Sequence, residues 1–181
     1  VYWARYDAAT LDSIRITSAA RAAVWGNQSP AGVIQMNGYP AFENVHVLKT
    51  GGGSQGTISG STLHQMTNEE KTLAVLFSAF GLHTDGFLAV DSSQRGSIDR
   101  KLDTDLYGAN LKFSWLAAPS LTVEPAVSWY SEERGNGTVL SKNSTDAVDL
   151  SLRVSSVDGD FSWQAVAWHQ QREFESVFSS V

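Results

Sequence analysis

Two stretches joined by a short link decide the fold: Tyr107-Gly-Ala-Asn-Leu-Lys-Phe-Ser-Trp115 and Leu121-Thr-Val-Glu-Pro-Ala-Val-Ser-Trp129. In both stretches, apolar side chains alternate with small or polar ones. Strict alternation of this kind predicts a β-strand whose two faces meet different surroundings. The link Ala117-Ala-Pro119 is short enough to connect the two strands as an antiparallel hairpin.

The same period of two residues recurs along the chain. Val148–Val154 alternates cleanly, whereas Phe161–Ala167 does so less regularly, because Val166 and Trp168 fall on the other face. Leu73–His83 is apolar on both faces and also fits a strand. We therefore predict about seven antiparallel strands, near residues 44–50, 57–66, 72–84, 105–116, 120–131, 146–157 and 160–174.

Short and long connections alternate between these strands. Tight turns are predicted near 68–70, 117–119 and 158–159, and long polar loops at 86–104 and 132–145. Short turns at one end of a sheet and long loops at the other are typical of transmembrane β-barrels. The pattern predicts a mainly β fold with up-and-down order, forming part of such a barrel.

The turn lengths also predict the register. A two-residue turn at Asp158-Gly159 pairs Val154 with Trp163, and a three-residue turn at 117–119 pairs Phe113 with Val123 and Lys112 with Glu124. Pro125 is the misfit, since proline usually marks an edge or a bulge. One face should then be apolar and point outward, with members Leu111, Phe113, Trp115, Val123, Val127, Leu150, Leu152, Val154 and Trp163. The charges Lys112, Glu124, Asp149 and Arg153 should point the other way, into the lumen of a barrel.

Composition narrows the possible functions. Apolar residues make up 42% of the 181 residues, which is enough for a packed structure. The net charge is −6, and the 13 Lys and Arg residues form no basic patch of the kind that binds nucleic acid. Gly52-Gly-Ser54-Gln-Gly56 matches the G-x-S-x-G pattern of hydrolases but lacks the helix that should follow it. The four histidines are scattered, with no pair at ligand spacing, so the sequence does not support a metal site. We also expect no catalytic or cofactor site and no enzyme activity.

Residues 11–36 differ from the rest. Leu11–Ile16 is predicted to form a strand, and Ala31–Met36 a second strand. Between them, Ala19–Trp25 is predicted to form a short helix that ends at Gly26. These small, Ala-rich elements should pack against the polar faces of the later strands and not join their sheet.

The order Trp25-Gly26 followed by Gly32-Val33-Ile34 resembles the end of the plug domain of TonB-dependent outer-membrane receptors, where the family has Tyr-Gly and then Gly-Val-Ile. Three positions depart from the family pattern: Arg15 replaces an acidic residue, Ala19-Ala20 replaces Gly-Pro, and Gln35 replaces Asn. The glycine-rich stretch at 51–56 is similar to the first hairpin of the family's barrel.

The resemblance implies a fragment, because these receptors have barrels of about 22 strands. Residues 1–40 would be the end of the plug, an α/β remnant, and residues 41–181 the first part of the barrel. The whole receptor would take up a scarce ligand (a siderophore-iron complex, cobalamin or a carbohydrate) across the bacterial outer membrane. Its partners would be outer-membrane lipid, an extracellular small ligand such as a metal chelate, and TonB, which binds a segment missing from this sequence.

Two alternatives stay open. The chain could form a small complete outer-membrane barrel, or a soluble β-sandwich that serves as a binding domain. A sandwich would cover the apolar face with a second sheet about 10 Å away.

Overall fold

The computed structural model describes residues 5–18 and 32–178, which form two antiparallel β-sheets. Strands β1 (Leu11–Ser18) and β2 (Gly32–Gly38) make a two-stranded ribbon. The larger sheet has seven strands: β3 (Val45–Gly52), β4 (Ile58–Thr67), β5 (Leu73–Thr84), β6 (Thr104–Ala118), β7 (Leu121–Gly135), β8 (Lys142–Asp158) and β9 (Phe161–Val177).

The strands of the larger sheet follow one another in chain order. Each is antiparallel to its neighbour, so the predicted mainly β fold and the up-and-down order are confirmed. Within the described residues the sheet is open, because β3 and β9 do not pair with each other. No helix in the described part of the chain is long and apolar enough to cross a membrane.

The predicted register between β8 and β9 is wrong by two residues. Val154 pairs with Ala165 and not with Trp163. The turn residues are Gly159 and Asp160, and Gly159 has a φ of +57°. A type II′ hairpin turn requires glycine at its first central position, and this requirement moves the turn one residue along the chain. Since the slip is even, every side chain keeps its predicted face.

The register between β6 and β7 is displaced in the same way. Trp115 pairs with Val123, and Lys112 with Ala126 instead of Glu124. A two-residue turn replaces the predicted three-residue one, and a bulge between Leu116 and Ala118 absorbs the difference. Pro125 lies inside β7, which is a central strand and not an edge.

One connection of the larger sheet is long, the β5–β6 loop at 85–103. At the same end of the sheet the β3–β4 turn covers 53–57 and the β7–β8 loop only 136–141. The predicted long loop at 132–145 is wrong, because β7 and β8 both extend further than predicted. The two loops are joined by backbone hydrogen bonds. Val139 N donates to Ile98 O at 3.2 Å, and Arg100 N donates to Gly137 O at 2.9 Å. We call this end of the sheet the loop end and the other the turn end.

The ribbon stays out of the larger sheet, as predicted. The helix predicted at 19–25 lies outside the described residues. Before β1, a 3₁₀ turn at Ala8–Thr10 is capped by Asp7, whose Oδ1 accepts from Ala9 N at 3.0 Å. This turn contacts β3 and β4, and Lys49 Nζ donates to Ala8 O at 3.4 Å.

Candidate functional site

One face of the seven-stranded sheet is apolar and uncovered; we call it the outer face. The nine apolar residues predicted to share a face do so, none is buried, and six are at least 38% exposed. Met66, Leu73, Val75 and Phe77 extend the same surface across β4 and β5. The described residues contain no second sheet over this face, so the cover predicted by the sandwich interpretation is absent from them.

The apolar surface forms a band of limited height. On β6 it runs from Tyr107 to Trp115, eight steps of about 3.3 Å, or about 26 Å along the strand. Near the loop end, Trp129 pairs with Ala109, which is two residues from Tyr107 towards the middle of β6. Near the turn end lies Trp115. In the cross-strand row of Tyr107, the residues on the next two strands are polar: Tyr107 pairs with Ser131 on β7, and Ser131 pairs with Asp146 on β8. Aromatic residues thus lie towards both edges of the band.

The opposite face, which we call the inner face, carries the buried side chains of the seven strands. Five of them are polar, although water-soluble proteins usually bury apolar groups and expose polar ones. Asn110 Nδ2, for example, donates to the buried Ser78 Oγ at 3.0 Å. The buried set comprises Leu63, Gln65, Ala74, Leu76, Ser78, Leu106, Ser114, Tyr130, Glu132, Thr145 and Ala147.

Glu124 is the centre of an ion-pair network on the inner face. Its carboxylate lies 3.7 Å from Lys112 Nζ and 3.8 Å from an Arg153 guanidinium nitrogen, and accepts a hydrogen bond from Ser114 Oγ at 3.0 Å. The Glu124 side chain is only 13% exposed. A carboxylate this shielded needs such partners, because a charge removed from water without compensation is costly.

A second inner-face carboxylate holds the segment before β1. Arg5 makes an ion pair with Asp149 on β8, and both side chains are more than four-fifths buried. Thr10 and Gly38, at one end of the ribbon, line the same cavity as Asp149. Both residues lie just outside 11–36, and within the ribbon Ile14, Ile16 and Ile34 are exposed. The described residues therefore do not confirm the predicted packing of residues 11–36 on the polar face.

Only part of the plug-like motif lies within the described residues. Gly32, Val33 and Ile34 begin β2, where Ile34 pairs with Ile16. Trp25 and Gly26 lie outside the described residues. The role of this motif stays a prediction.

A charged group lies at the loop end, outside the apolar band. His83 Nδ1 is 2.7 Å from an Asp105 carboxylate oxygen, and its Nε2 is 3.6 Å from Asp85. Lys101 reaches Asp85 from the long loop at 3.6 Å. The hydrogen bond and charge of Asp105, with a smaller contribution from Asp85, raise the pKa of His83 above its ordinary value.

Ser54 lies at the tip of the β3–β4 hairpin and is followed by a strand. A nucleophilic serine of the G-x-S-x-G type needs a strand-to-helix turn, and these residues do not provide one.

Sequence reasoning missed a pair of neighbouring histidines. Cross-strand pairing of β3 and β4 brings His46 and His64 together, although they are far apart in sequence. The alternation of both strands was the signal that could have placed them on one face. No group of three or more potential metal ligands occurs within 5–18 and 32–178.

No protein-family model, curated protein or solved structure matches the chain. The resemblance to TonB-dependent receptors therefore depends on Trp25-Gly26, Gly32-Val33-Ile34 and the glycine-rich stretch at 51–56. The two faces of the sheet are the remaining evidence on function.

Proposed function

We propose that this chain is part of an outer-membrane TonB-dependent receptor, with the seven-stranded sheet as a section of its barrel wall. One observation carries the proposal: the exposed outer face of the sheet is apolar, whereas the inner face carries five buried polar side chains and the charges of Lys112, Glu124, Asp149 and Arg153. Lipid is the natural cover for such a surface, because soluble monomers rarely expose large contiguous apolar patches. On β6 the band is nine residues long, within the roughly 9–11 residues that a tilted transmembrane β-strand needs.

The placement of the segment before β1 supports a receptor of the plugged type. Its ion pair from Arg5 to Asp149 joins it to the inner face, where a plug would lie. On this proposal a ligand binds on the extracellular side, and TonB then pulls on the plug to open a path. The ligand is of the siderophore-iron, cobalamin or carbohydrate type.

The alternatives receive less support. A small complete barrel needs a sheet that closes on itself, and the described strands leave the edges at β3 and β9 unpaired. A soluble sandwich needs a second layer over the outer face, and the described residues supply none.

Two tryptophans on one strand test the membrane placement. Trp163 points to the outer face and Trp168 to the inner face, and both are exposed. We would prepare two single-tryptophan proteins, each retaining one of the six tryptophans and replacing the others by phenylalanine, and fold them in vesicles that contain brominated lipid. Trp163 fluorescence should be strongly quenched and Trp168 fluorescence weakly. Equal quenching of the two tryptophans would contradict the proposal.

Uptake is tested separately in the bacterium that carries the gene. Deletion should lower the uptake of an iron chelate, cobalamin or a carbohydrate. The uptake lost on deletion should require TonB and the proton gradient of the inner membrane. Unchanged uptake of all three classes would reject the transport function, even if the lipid contact is real.

A further inference from the structure

We propose that His46 and His64 form a binding site for a divalent transition-metal ion such as Cu²⁺, Ni²⁺ or Zn²⁺. The two residues are directly paired across β3 and β4, and both side chains are exposed on the outer face. Their Nδ1 atoms lie 3.1 Å apart, with the rings tilted at 50° to each other. This inference does not depend on the proposed transport function.

The separation of the nitrogens suits a shared metal ion. Imidazole nitrogens bind zinc at roughly 2.0–2.1 Å, which places two ligands of a tetrahedral ion about 3.3 Å apart. Two adjacent ligands of a square-planar ion, the geometry of Cu²⁺, would be about 2.9 Å apart. The observed 3.1 Å lies between these values, so the nitrogens need little change in separation for either geometry. The rings must turn so that both lone pairs point at one ion and not at each other.

The contacts of Thr62 are compatible with the tautomer that a metal requires. Its Oγ1 lies 3.3 Å from Val47 O and 2.9 Å from His64 Nε2. When the hydroxyl donates its one hydrogen to Val47 O, it accepts from His64, and His64 Nε2 carries the proton. The lone pair of His64 is then on Nδ1, which faces His46. Such partners of the remote ring nitrogen typically orient metal-binding histidines.

Binding would replace the hydrogen between the two rings. In the metal-free pair, His46 Nδ1 donates to His64 Nδ1. On binding, His46 releases the Nδ1 proton to water and takes one up at Nε2, so the ring stays neutral as its other tautomer and both Nδ1 atoms coordinate the ion. Water fills the remaining positions. The pair lies near the turn ends of β3 and β4, in the cross-strand row that continues through Phe77, Leu111 and Leu150. Both side chains are exposed in the isolated chain, so an ion can reach them from solution.

The test is Cu²⁺ titration of the detergent-solubilised chain, followed by calorimetry and electron paramagnetic resonance. The wild type should show nitrogen couplings from two imidazoles. His46→Asn and His64→Asn should each weaken binding at least tenfold and leave couplings from at most one. His169→Asn, which changes another exposed outer-face histidine, is the matched control and should bind as the wild type does.

Thr62 provides the second arm of the test. Thr62→Val should weaken binding by about tenfold, within the range known for second ligand-shell changes, whereas Thr62→Ser should retain it. Circular dichroism would establish that all variants fold. Unchanged affinity in either His→Asn variant, or an equal loss in the His169 variant, would overturn the inference.

Discussion

Lys112 Nζ lies 3.7 Å from the carboxylate of Glu124 on the neighbouring strand, although the residue paired with Lys112 is Ala126. The contact is diagonal, because the strands are displaced by two residues from the directly opposed arrangement. Arg153 reaches the other carboxylate oxygen from the far side. Glu124 therefore links three consecutive strands through one shielded charge.

Replacing Glu124 by Gln should destabilise the protein by about 1–3 kcal/mol, the range for hydrogen bonds to charged groups. The loss arises because Lys112 and Arg153 would then face each other without a compensating charge. Urea unfolding of the vesicle-folded protein measures the change. Glu69→Gln in the exposed turn is the control and should stay within about 0.5 kcal/mol of the wild type. Equal stability of the Glu124 variant would show that the network contributes nothing.

Two neighbouring residues of β8 test the proposed lipid contact of the outer face. Leu150 lies on the outer face near mid-band, and Ser151 on the inner face. Leu150→Lys should lower the free energy of unfolding in vesicles by roughly 2–4 kcal/mol, because a charge at mid-membrane is costly. Ser151→Lys should have a much smaller effect. If both substitutions cost less than about 0.5 kcal/mol, as expected of surface positions in water, the outer face does not contact lipid.

The ion pair between Arg5 and Asp149 should control how firmly the N-terminal segment is held. Arg5→Ala leaves the shielded Asp149 carboxylate without its partner and should increase proteolysis within residues 5–18 by about fivefold or more, which corresponds to roughly 1 kcal/mol. Arg15→Ala on β1 is the control. The charge-exchanged double variant, Arg5→Asp with Asp149→Arg, should restore protection. If Arg5→Ala and Arg15→Ala are cleaved alike, the pair does not hold the segment.

His83 should titrate above its ordinary pKa of about 6.5 in the folded protein. Because this pKa is raised on folding, the stabilisation by Asp105 is fully present below the unfolded pKa and is lost as the pH rises through the folded one. NMR titration of the His83 ring should show Asp105→Asn lowering its pKa more than Asp85→Asn, since Asp105 is the closer partner. The reverse order would contradict this assignment of the cause.

The sequence alone determined the strands, their order and the two faces. Alternation with a period of two assigns each side chain to a face, and an even slip in register leaves that assignment unchanged. This is why Leu150 and Asp149 lie on opposite faces as expected, even though the predicted pairs at both turns were wrong.

Only the tertiary structure decided which residues meet. The position of Gly159 in its turn and the bulge after Leu116 set the register, and both depend on backbone conformations that alternation does not encode. The displaced β6–β7 register makes the Lys112–Glu124 contact diagonal. Pairings that were not predicted bring Arg153 to Glu124 and His46 to His64, and Arg5 reaches Asp149 from the far end of the chain. Contacts between residues distant in sequence depend on how strands align and which segments lie over the sheet, and these are properties of the folded chain as a whole.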